Sequence, residues 1–152
     1  ELVDLTDPQI LSSIDPGVKV IQEFDIAPDN SFGIVTGSAD GWVTKFTLDL
    51  EKDELAITGT AQGWAPPGSV QGGSPQDVHI DASGTVAVQP MFYQDYLVSI
   101  DITGDVPQLI KTIDTPNWSP YGDLYPIGHH GISLSEWDND TILATAAFIF
   151  DW

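Results

Sequence analysis

Residues 76–114 read QDVHIDASGTVAVQPMFYQDYLVSIDITGDVPQLIKTID, a stretch of four short apolar runs separated by turn residues. The runs are strand-sized and rich in Val, Ile and Leu, whereas Asp, Ser, Gly and Pro lie between them. No window of the chain places apolar residues at i, i+3, i+4 and i+7 behind a cap, as an amphipathic helix would. We therefore expect four antiparallel strands here and an all-β fold overall.

The first half of this stretch recurs on both sides at a spacing of 54 residues. Residues 24–32 (FDIAPDNSF) match residues 78–86 (VHIDASGTV), and the run ISLS begins 54 positions later, at Ile132. Each copy has apolar residues two apart, then a polar turn, then a second apolar run. We interpret the copies as the first two strands of a repeating sheet.

The second half of the stretch recurs as well. Residues 4–15 (DLTDPQILSSID) match residues 101–114 (DITGDVPQLIKTID), and residues 43–50 and 55–60 occupy the same place in the middle unit. Self-similarity at about 50 residues with four strands per unit is typical of a β-propeller. Each blade of such a fold buries both of its faces against neighbouring blades. This explains why the inner strands are apolar at consecutive positions and not only at every second one.

The predicted fold class is an all-β β-propeller arc of about three four-stranded blades, with two whole blades and a half-blade at each terminus. Because a closed propeller needs at least about four blades, the expected partners are the remaining blades of the same propeller or a second copy that closes a six-blade ring. The chain begins without Met or a signal peptide, so we expect it to be processed, trimmed or part of a longer protein. The predicted boundaries are an outer strand pair at 1–15, a whole blade at 16–61, a Trp-x-Pro-x-Gly loop at 62–75, a whole blade at 76–114, a second such loop at 115–128 and an inner strand pair at 129–152.

The charge balance is extreme, with 23 acidic residues, four basic residues and a net charge of −19. Such a surface repels phosphate groups, so we expect no nucleic-acid partner. No apolar run reaches the length of about 18 residues that a membrane span needs, so no membrane insertion is expected either. The acidic surface favours an extracellular or periplasmic location, and binding of a divalent cation such as calcium is the alternative interpretation.

Two long loops share the motif Trp-x-Pro-x-Gly, at Trp64 and again 54 residues later at Trp118. Loops of this length without strands are usually functional or packed caps. One interpretation is that each Trp plugs the crevice between two blades. The other is that Trp64, Trp118, Tyr121 and Tyr125 line the mouth of a site for a flat ligand or a sugar.

The same spacing places three polar residues at one position, just before the innermost strand of successive blades: Gln22, Gln76 and His130. Glu23 and Asp77 follow at the next position. Since innermost strands line the central channel of a propeller, we expect a polar ring near its mouth.

His130 is the best candidate for metal chemistry, because neutral imidazole binds copper, zinc or iron. Adjacent side chains on an extended segment point in opposite directions, so His129 is the weaker candidate. Histidines that are merely hydrogen-bonded in a loop are the alternative. For His79, which lies within an inner strand, we expect packing or contact with a carboxylate.

Two Asn-x-Ser/Thr sequons occur, at Asn117 and Asn139. Asn139 lies in a predicted exposed hairpin turn and is the better acceptor if the source organism glycosylates secreted proteins. Chance occurrence of the motif is the alternative.

The blade pattern, with DASGTVAVQP, YLVSIDIT and GHHGISLSEWDNDTILATAAF, resembles the YVTN/LVIVD group of β-propellers. The DLTDP turn at residues 4–8 and the His129-His130 pair are similar to features of the selenium-binding protein/methanethiol oxidase group. The segment at residues 39–46 (ADGWVTKF) is similar to one in the haem-binding propeller of nitrite reductases. The resemblance implies a propeller fold and, if the activity is shared, a copper or iron centre with His130 as one ligand and His129 as a weaker candidate.

Three functions follow as expectations. The first is a segment of an acidic extracytoplasmic β-propeller that acts as a binding and assembly scaffold. The second is part of a metal-dependent propeller oxidoreductase with a histidine at the channel mouth. The third is a lactonase-like metal-dependent hydrolase, for which Glu23 and Asp77 would supply acidic ligands.

Overall fold

The computed structural model describes residues 2–4, 6, 9–17, 20–37, 42–61, 74–75, 77–92, 96–114, 131–138 and 141–147. This described part contains strands and turns and no helix, and therefore no helix that could cross a membrane. The strands are β1 (Leu2–Asp4), β2 (Gln9–Ser12), β3 (Ile21–Ile26), β4 (Phe32–Gly37), β5 (Trp42–Asp49), β6 (Glu54–Ala61), β7 (Ser74–Pro75), β8 (His79–Ile80), β9 (Val86–Phe92), β10 (Tyr96–Asp101), β11 (Gln108–Asp114), β12 (Gly131–Asp138) and β13 (Thr141–Ala147).

Two complete antiparallel sheets form the middle of the chain. The first whole blade has the order β3-β4-β5-β6, and the second whole blade has the order β8-β9-β10-β11. β7 also pairs with β9, next to β8, so β7 and β8 are two pieces of one innermost strand. An antiparallel pair stands at each end, β1 with β2 and β12 with β13. The predicted all-β fold is confirmed, and its arrangement is that of a β-propeller arc.

One predicted boundary differs from the structure. Ser74 and Pro75, assigned from the sequence to the end of a loop, pair with Phe92 and Met91 as β7. Ser and Pro are turn residues by composition, and only the presence of a neighbouring strand shows that they extend a sheet. The other predicted boundaries stay predictions.

The 54-residue repeat extends to individual backbone hydrogen bonds. In the first whole blade, Asn30 donates to the carbonyl oxygen of Ala27 at 2.8 Å, and in the second, Gly84 donates to that of Asp81 at 2.9 Å. Asn30 and Gly84 both adopt left-handed backbone angles, with φ of 61° and 71°. Asn and Gly are the residues that tolerate this conformation best, so the two turns reach the same geometry with different residues.

The three outer strand pairs share a β-bulge at one position. The register shifts between Lys45 and Phe46 in the first whole blade and between Ser99 and Ile100 in the second. In the β1–β2 pair it shifts between Leu2 and Val3. Because a bulge adds a residue to one strand at a defined point, its recurrence marks β1–β2 as the third and fourth strands of a further blade.

The core lies in the boundary between the two whole blades. It contains residues of both sheets that are at most 9% exposed: Ala27, Ile34, Val43, Val78, Ile80, Ala87, Met91, Tyr96, Val98, Ile100 and Ile102. Burying an apolar side chain of this size stabilises a fold by about 1.5–3 kcal/mol. The two sheets are therefore held together mainly by apolar packing, which explains the continuous apolar runs in their inner strands.

Candidate functional site

The innermost strands meet at a polar contact between the two whole blades. The Oδ2 atom of Asp25, on β3, accepts a hydrogen bond of 2.7 Å from the backbone N–H of Ile80, on β8. The Nδ1 atom of His79 lies 3.6 Å from the same oxygen, and its Nε2 atom lies 3.9 Å from Oδ2 of Asp77. The predicted contact of His79 with a carboxylate is therefore present. Asp25 and Asp77 lie on opposite sides of an imidazole that is 40% exposed.

Three members of the predicted polar ring can be located. Gln22 and Glu23 lie at the register shift of β3 between Ile21 and Phe24, and Asp77 lies in the gap between β7 and β8. At these positions the pairing of the innermost strand with its neighbour is irregular. The Oδ1 atom of Asp77 accepts a hydrogen bond of 2.8 Å from the N–H of Val78. The ring and its ligand stay predictions.

Several predicted site residues lie outside the described part of the chain. They are Trp64, Gln76, Asn117, Trp118, Tyr121, Tyr125, His129, His130 and Asn139. Their roles in ligand binding, metal binding and glycosylation stay predictions. Within the ranges that are described, no group of three or more His, Asp or Glu side chains is placed to hold a metal ion.

A buried lysine joins the two whole blades near their outer strand pairs, β5–β6 and β10–β11. Lys45, on β5, is 8% exposed and its Nζ donates to the carbonyl oxygens of Ile102 at 2.7 Å and Gly104 at 3.0 Å. The same ammonium lies 4.2 Å from the ring centroid of Phe32. Hydrogen bonds from Thr103 hold the pKa of the nearby Asp101 below its ordinary value, and the charge of Lys45 lowers that pKa further. The contact adds directional hydrogen bonds to the apolar packing between the sheets.

The turn between β8 and β9 contains a buried carboxylate. Asp81 is 8% exposed and its Oδ1 accepts hydrogen bonds of 2.8 Å from the N–H groups of Thr85 and Val86, while Oδ2 accepts from Ser83. Burial raises the pKa of Asp81, but these hydrogen bonds together outweigh it and leave the pKa below its ordinary value. The carboxylate therefore stabilises the turn in its ionised form.

Two buried polar atoms in the second whole blade lack a hydrogen-bond partner in the described structure, namely Nε2 of Gln89 and the hydroxyl of Tyr96. Burial raises the pKa of Tyr96 above its ordinary value.

An apolar cleft of about 210 Å³ lies on the first whole blade. We call it the blade-face cleft, and it is lined by Ile14, Pro16, Ile21, Phe24, Ile26, Val35, Phe46, Leu48 and Leu55. All of these described lining residues are apolar. An apolar concave face of this kind accepts the side chains of another protein layer or an apolar ligand.

The cleft arises where a blade face is left uncovered. Phe24 and Val78 are equivalent in the repeat, yet Phe24 is 58% exposed and Val78 is 1% exposed. Val78 is covered by the first whole blade, which precedes it. The residues described at the N-terminal side of the first whole blade leave Phe24 uncovered. An apolar face large enough to form a cleft is therefore expected wherever a blade lacks a complete neighbouring blade.

No protein-family model matches the chain, and no curated protein is similar to it. Among solved structures, the fold is similar to that in a crystal structure of a protein from Lactobacillus plantarum, with a TM-score of 0.54 and 14% sequence identity. The likeness covers 62% of this chain and 28% of that protein, so the matched part spans less than a third of that protein's length. At this identity the likeness shows the fold alone. Together with the antiparallel four-stranded sheets, it shows a β-propeller-type fold, while membership of the YVTN/LVIVD group stays a prediction.

Proposed function

We propose that this chain is a segment of an acidic, extracytoplasmic β-propeller that serves as a binding and assembly scaffold. The observation that carries the proposal is the contrast between Phe24, 58% exposed, and its repeat equivalent Val78, 1% exposed. A Phe side chain left in water forgoes about 1.5–3 kcal/mol of burial free energy. The blade-face cleft is therefore a contact surface for further blades, and the chain acts as part of a larger ring.

The boundary between the whole blades supports a scaffold role, because it combines apolar packing with polar contacts that fix orientation. Lys45 reaches two carbonyl oxygens of the following blade, and Asp25 binds the backbone of β8. Hydrogen bonds that involve a charged group are stronger than neutral ones, at about 1.5–3 kcal/mol each. Such an arc presents its loops and channel on a rigid support.

The charge supports the proposed location and the choice of partners. A net charge of −19 keeps a protein soluble and disfavours anionic partners. Cations and basic surfaces are attracted to such a field, most strongly at low ionic strength. We infer that the ring formed by this arc binds partners of positive or neutral charge.

Sedimentation velocity of the 152-residue chain tests the assembly role. We expect the wild type to associate, and Phe24→Asp to remove the association because it places a charge in the cleft. Leu50→Asp is the matched control, since Leu50 is 55% exposed, lies in the turn after β5 and is not one of the residues that line the cleft. It should associate as the wild type does.

A folded, soluble wild-type monomer of 16.4 kDa would contradict the assembly role. Equal association of the two variants would also contradict it, because contact would then not involve the cleft. Circular dichroism of Phe24→Asp confirms that its strand content is retained.

A further inference from the structure

The two polar atoms without a partner in the described structure, Nε2 of Gln89 and the hydroxyl oxygen of Tyr96, belong to the central strands β9 and β10 of the second whole blade. Gln89 is 1% exposed and Tyr96 is 6% exposed. Burying such a group without a partner is unfavourable, because it gives up hydrogen bonds to water and gains none. Native proteins leave few buried polar atoms in this state, so both atoms require an explanation.

The register of the sheet places the two side chains on one face. Gln89 pairs with Val98 on β10, so these two side chains share a face. Side chains alternate along a strand, and Tyr96 precedes Val98 by two positions, so it lies on that face as well. Diagonal neighbours of this kind have Cα atoms about 7–8 Å apart, which is within reach of aromatic and long side chains. One small molecule can therefore contact both.

This face of the second whole blade packs against the first one. Tyr96 is a member of the core between the two blades. Two buried polar side chains of the first whole blade donate elsewhere: Oγ1 of Thr36 to the carbonyl oxygen of Glu23 at 3.3 Å, and Nζ of Lys45 to carbonyl oxygens of the following blade's outer turn. The surroundings of Tyr96 are otherwise mainly apolar.

The repeat does not require polar residues at these positions. At the spacing of 54 residues, Val35 is the equivalent of Gln89 and Trp42 is the equivalent of Tyr96. Val35 is 7% exposed and has no polar side-chain atom, yet β4 forms the same central strand as β9. The pair of hydrogen-bonding side chains is therefore particular to the second whole blade, and the formation of its strands does not explain it.

We propose that one water molecule is bound in the boundary between the whole blades and bridges Gln89 and Tyr96. The water accepts a hydrogen bond from Nε2 of Gln89 and donates one to the hydroxyl oxygen of Tyr96. Buried waters make two to four hydrogen bonds, typically about three, so two protein partners suffice. The two side-chain atoms do not bond each other directly in the described structure, and one water spans such a gap.

The chemistry of the two groups favours water over an ion. The amide nitrogen of Gln89 is a donor and offers nothing to a cation. Burial raises the pKa of Tyr96, so its hydroxyl stays protonated at neutral pH and cannot act as an anionic ligand. The net charge of −19 disfavours a bound anion. The bound water goes beyond the assembly role proposed above and does not depend on it.

The sign of one substitution tests the proposal. Tyr96→Phe removes the hydroxyl and keeps the ring. If a water is bound, we expect the urea midpoint of unfolding to fall by about 0.3–1 M, because the water loses one of its partners. Gln89→Met should lower the midpoint for the same reason. A hydroxyl without a partner would give the opposite sign, because Phe would then be the better residue to bury.

The double variant Gln89→Met/Tyr96→Phe tests whether the two residues share one water. Its site is apolar and has no partner left for the water, so its loss should be smaller than the sum of the two single losses. Gln108→Met is the matched control, because Gln108 is exposed at the start of β11 and its replacement should leave the midpoint nearly unchanged. All variants are compared at one protein concentration, since association shifts the midpoint.

A crystal structure of the wild-type chain locates the molecule directly. We expect one water within about 2.7–3.2 Å of both Nε2 of Gln89 and the hydroxyl oxygen of Tyr96, and none there in the double variant. A midpoint that rises in Tyr96→Phe, additive losses in the double variant or a protein atom in place of the water would each overturn the proposal. These results do not bear on association or on Phe24→Asp, so the two proposals can fail separately.

Discussion

The ammonium group of Lys45 lies 2.7 Å from the carbonyl oxygen of Ile102, across the boundary between the two whole blades. These residues are 57 positions apart, and their hydrogen bond is almost fully buried. A charged donor at this place links the central strand of one blade to the turn of the next. The consequences of this and three other contacts can be measured.

Lys45→Met should destabilise the fold by about 1.5–3 kcal/mol, because the carbonyl oxygens of Ile102 and Gly104 lose a charged donor. Urea unfolding followed by circular dichroism measures the change. The control is Lys52→Met, since Lys52 is 67% exposed and its ion pair with Asp49 lies on the surface. Equal stability of wild type and Lys45→Met would show that the contact contributes nothing net.

Gly59→Ala should weaken the packing between the whole blades. A Cβ atom at Gly59 would lie 2.7 Å from both the carbonyl oxygen of Asp105 and Cγ2 of Val106, so the sheets would have to separate. Overpacking of this kind costs about 1–3 kcal/mol. Gly104→Ala is the control, because its Cβ would have no neighbour nearer than 3.8 Å. The thermal midpoints of the two variants should differ, and similar midpoints would contradict the close approach.

The carboxylate of Asp81 should make stability depend on pH in the acid range. Its folded pKa is lowered, so its contribution is present above the unfolded value of about 3.9 and is lost as pH falls through the folded pKa. Asp81→Asn should lower the free energy of unfolding by about 1–3 kcal/mol at pH 6, because the carboxylate accepts backbone hydrogen bonds. The difference in unfolding free energy between this variant and the wild type should narrow towards pH 2. Asp53→Asn removes the same charge from an exposed turn and should not reproduce this profile. A gap that is constant with pH would contradict the role of the ionised form.

The left-handed turn at Gly84 should accept Asn better than Ala. Space is not the limit, because a Cβ atom there would lie 3.8 Å from Cδ of Pro28, so backbone strain decides. Gly84→Ala should cost about 1–2 kcal/mol, and Gly84→Asn clearly less, since Asn30 has the same conformation in the preceding blade. Chemical denaturation of the two variants measures the difference. Equal losses of unfolding free energy in Gly84→Ala and Gly84→Asn would mean that the turns at Asn30 and Gly84 are not equivalent.

Much of the fold could be predicted from residue order because its causes are local. Turn residues after apolar runs define strand ends, and the spacing of 54 residues between Phe24 and Val78 gave the correct equivalence of β3 with β8. The expected contact of His79 with a carboxylate is also present. The innermost strand of the second whole blade was harder to predict, because Ser74 and Pro75 resemble loop residues and form a strand only by pairing with β9.

The candidate site was less predictable, because it depends on which faces remain uncovered. Nothing in the composition around Phe24 distinguishes it from Val78, and the sequence places both in equivalent strands. Their exposure differs because the first whole blade covers Val78, whereas the described residues on the N-terminal side of Phe24 leave it exposed. The burial of Lys45 has the same origin, since its carbonyl partners are far away in the chain.

The sequence by itself determined that this protein is a repeating all-β chain, which strands are equivalent, and that its surface is strongly acidic. These properties follow from periodicity, turn chemistry and charge, which neighbouring residues set. Only the tertiary structure decided that Lys45 and Asp25 join the blades and that an apolar cleft remains beside Phe24. The two contacts between the blades join residues more than 50 positions apart, and the cleft depends on which blade face is left uncovered, so no local pattern encodes them.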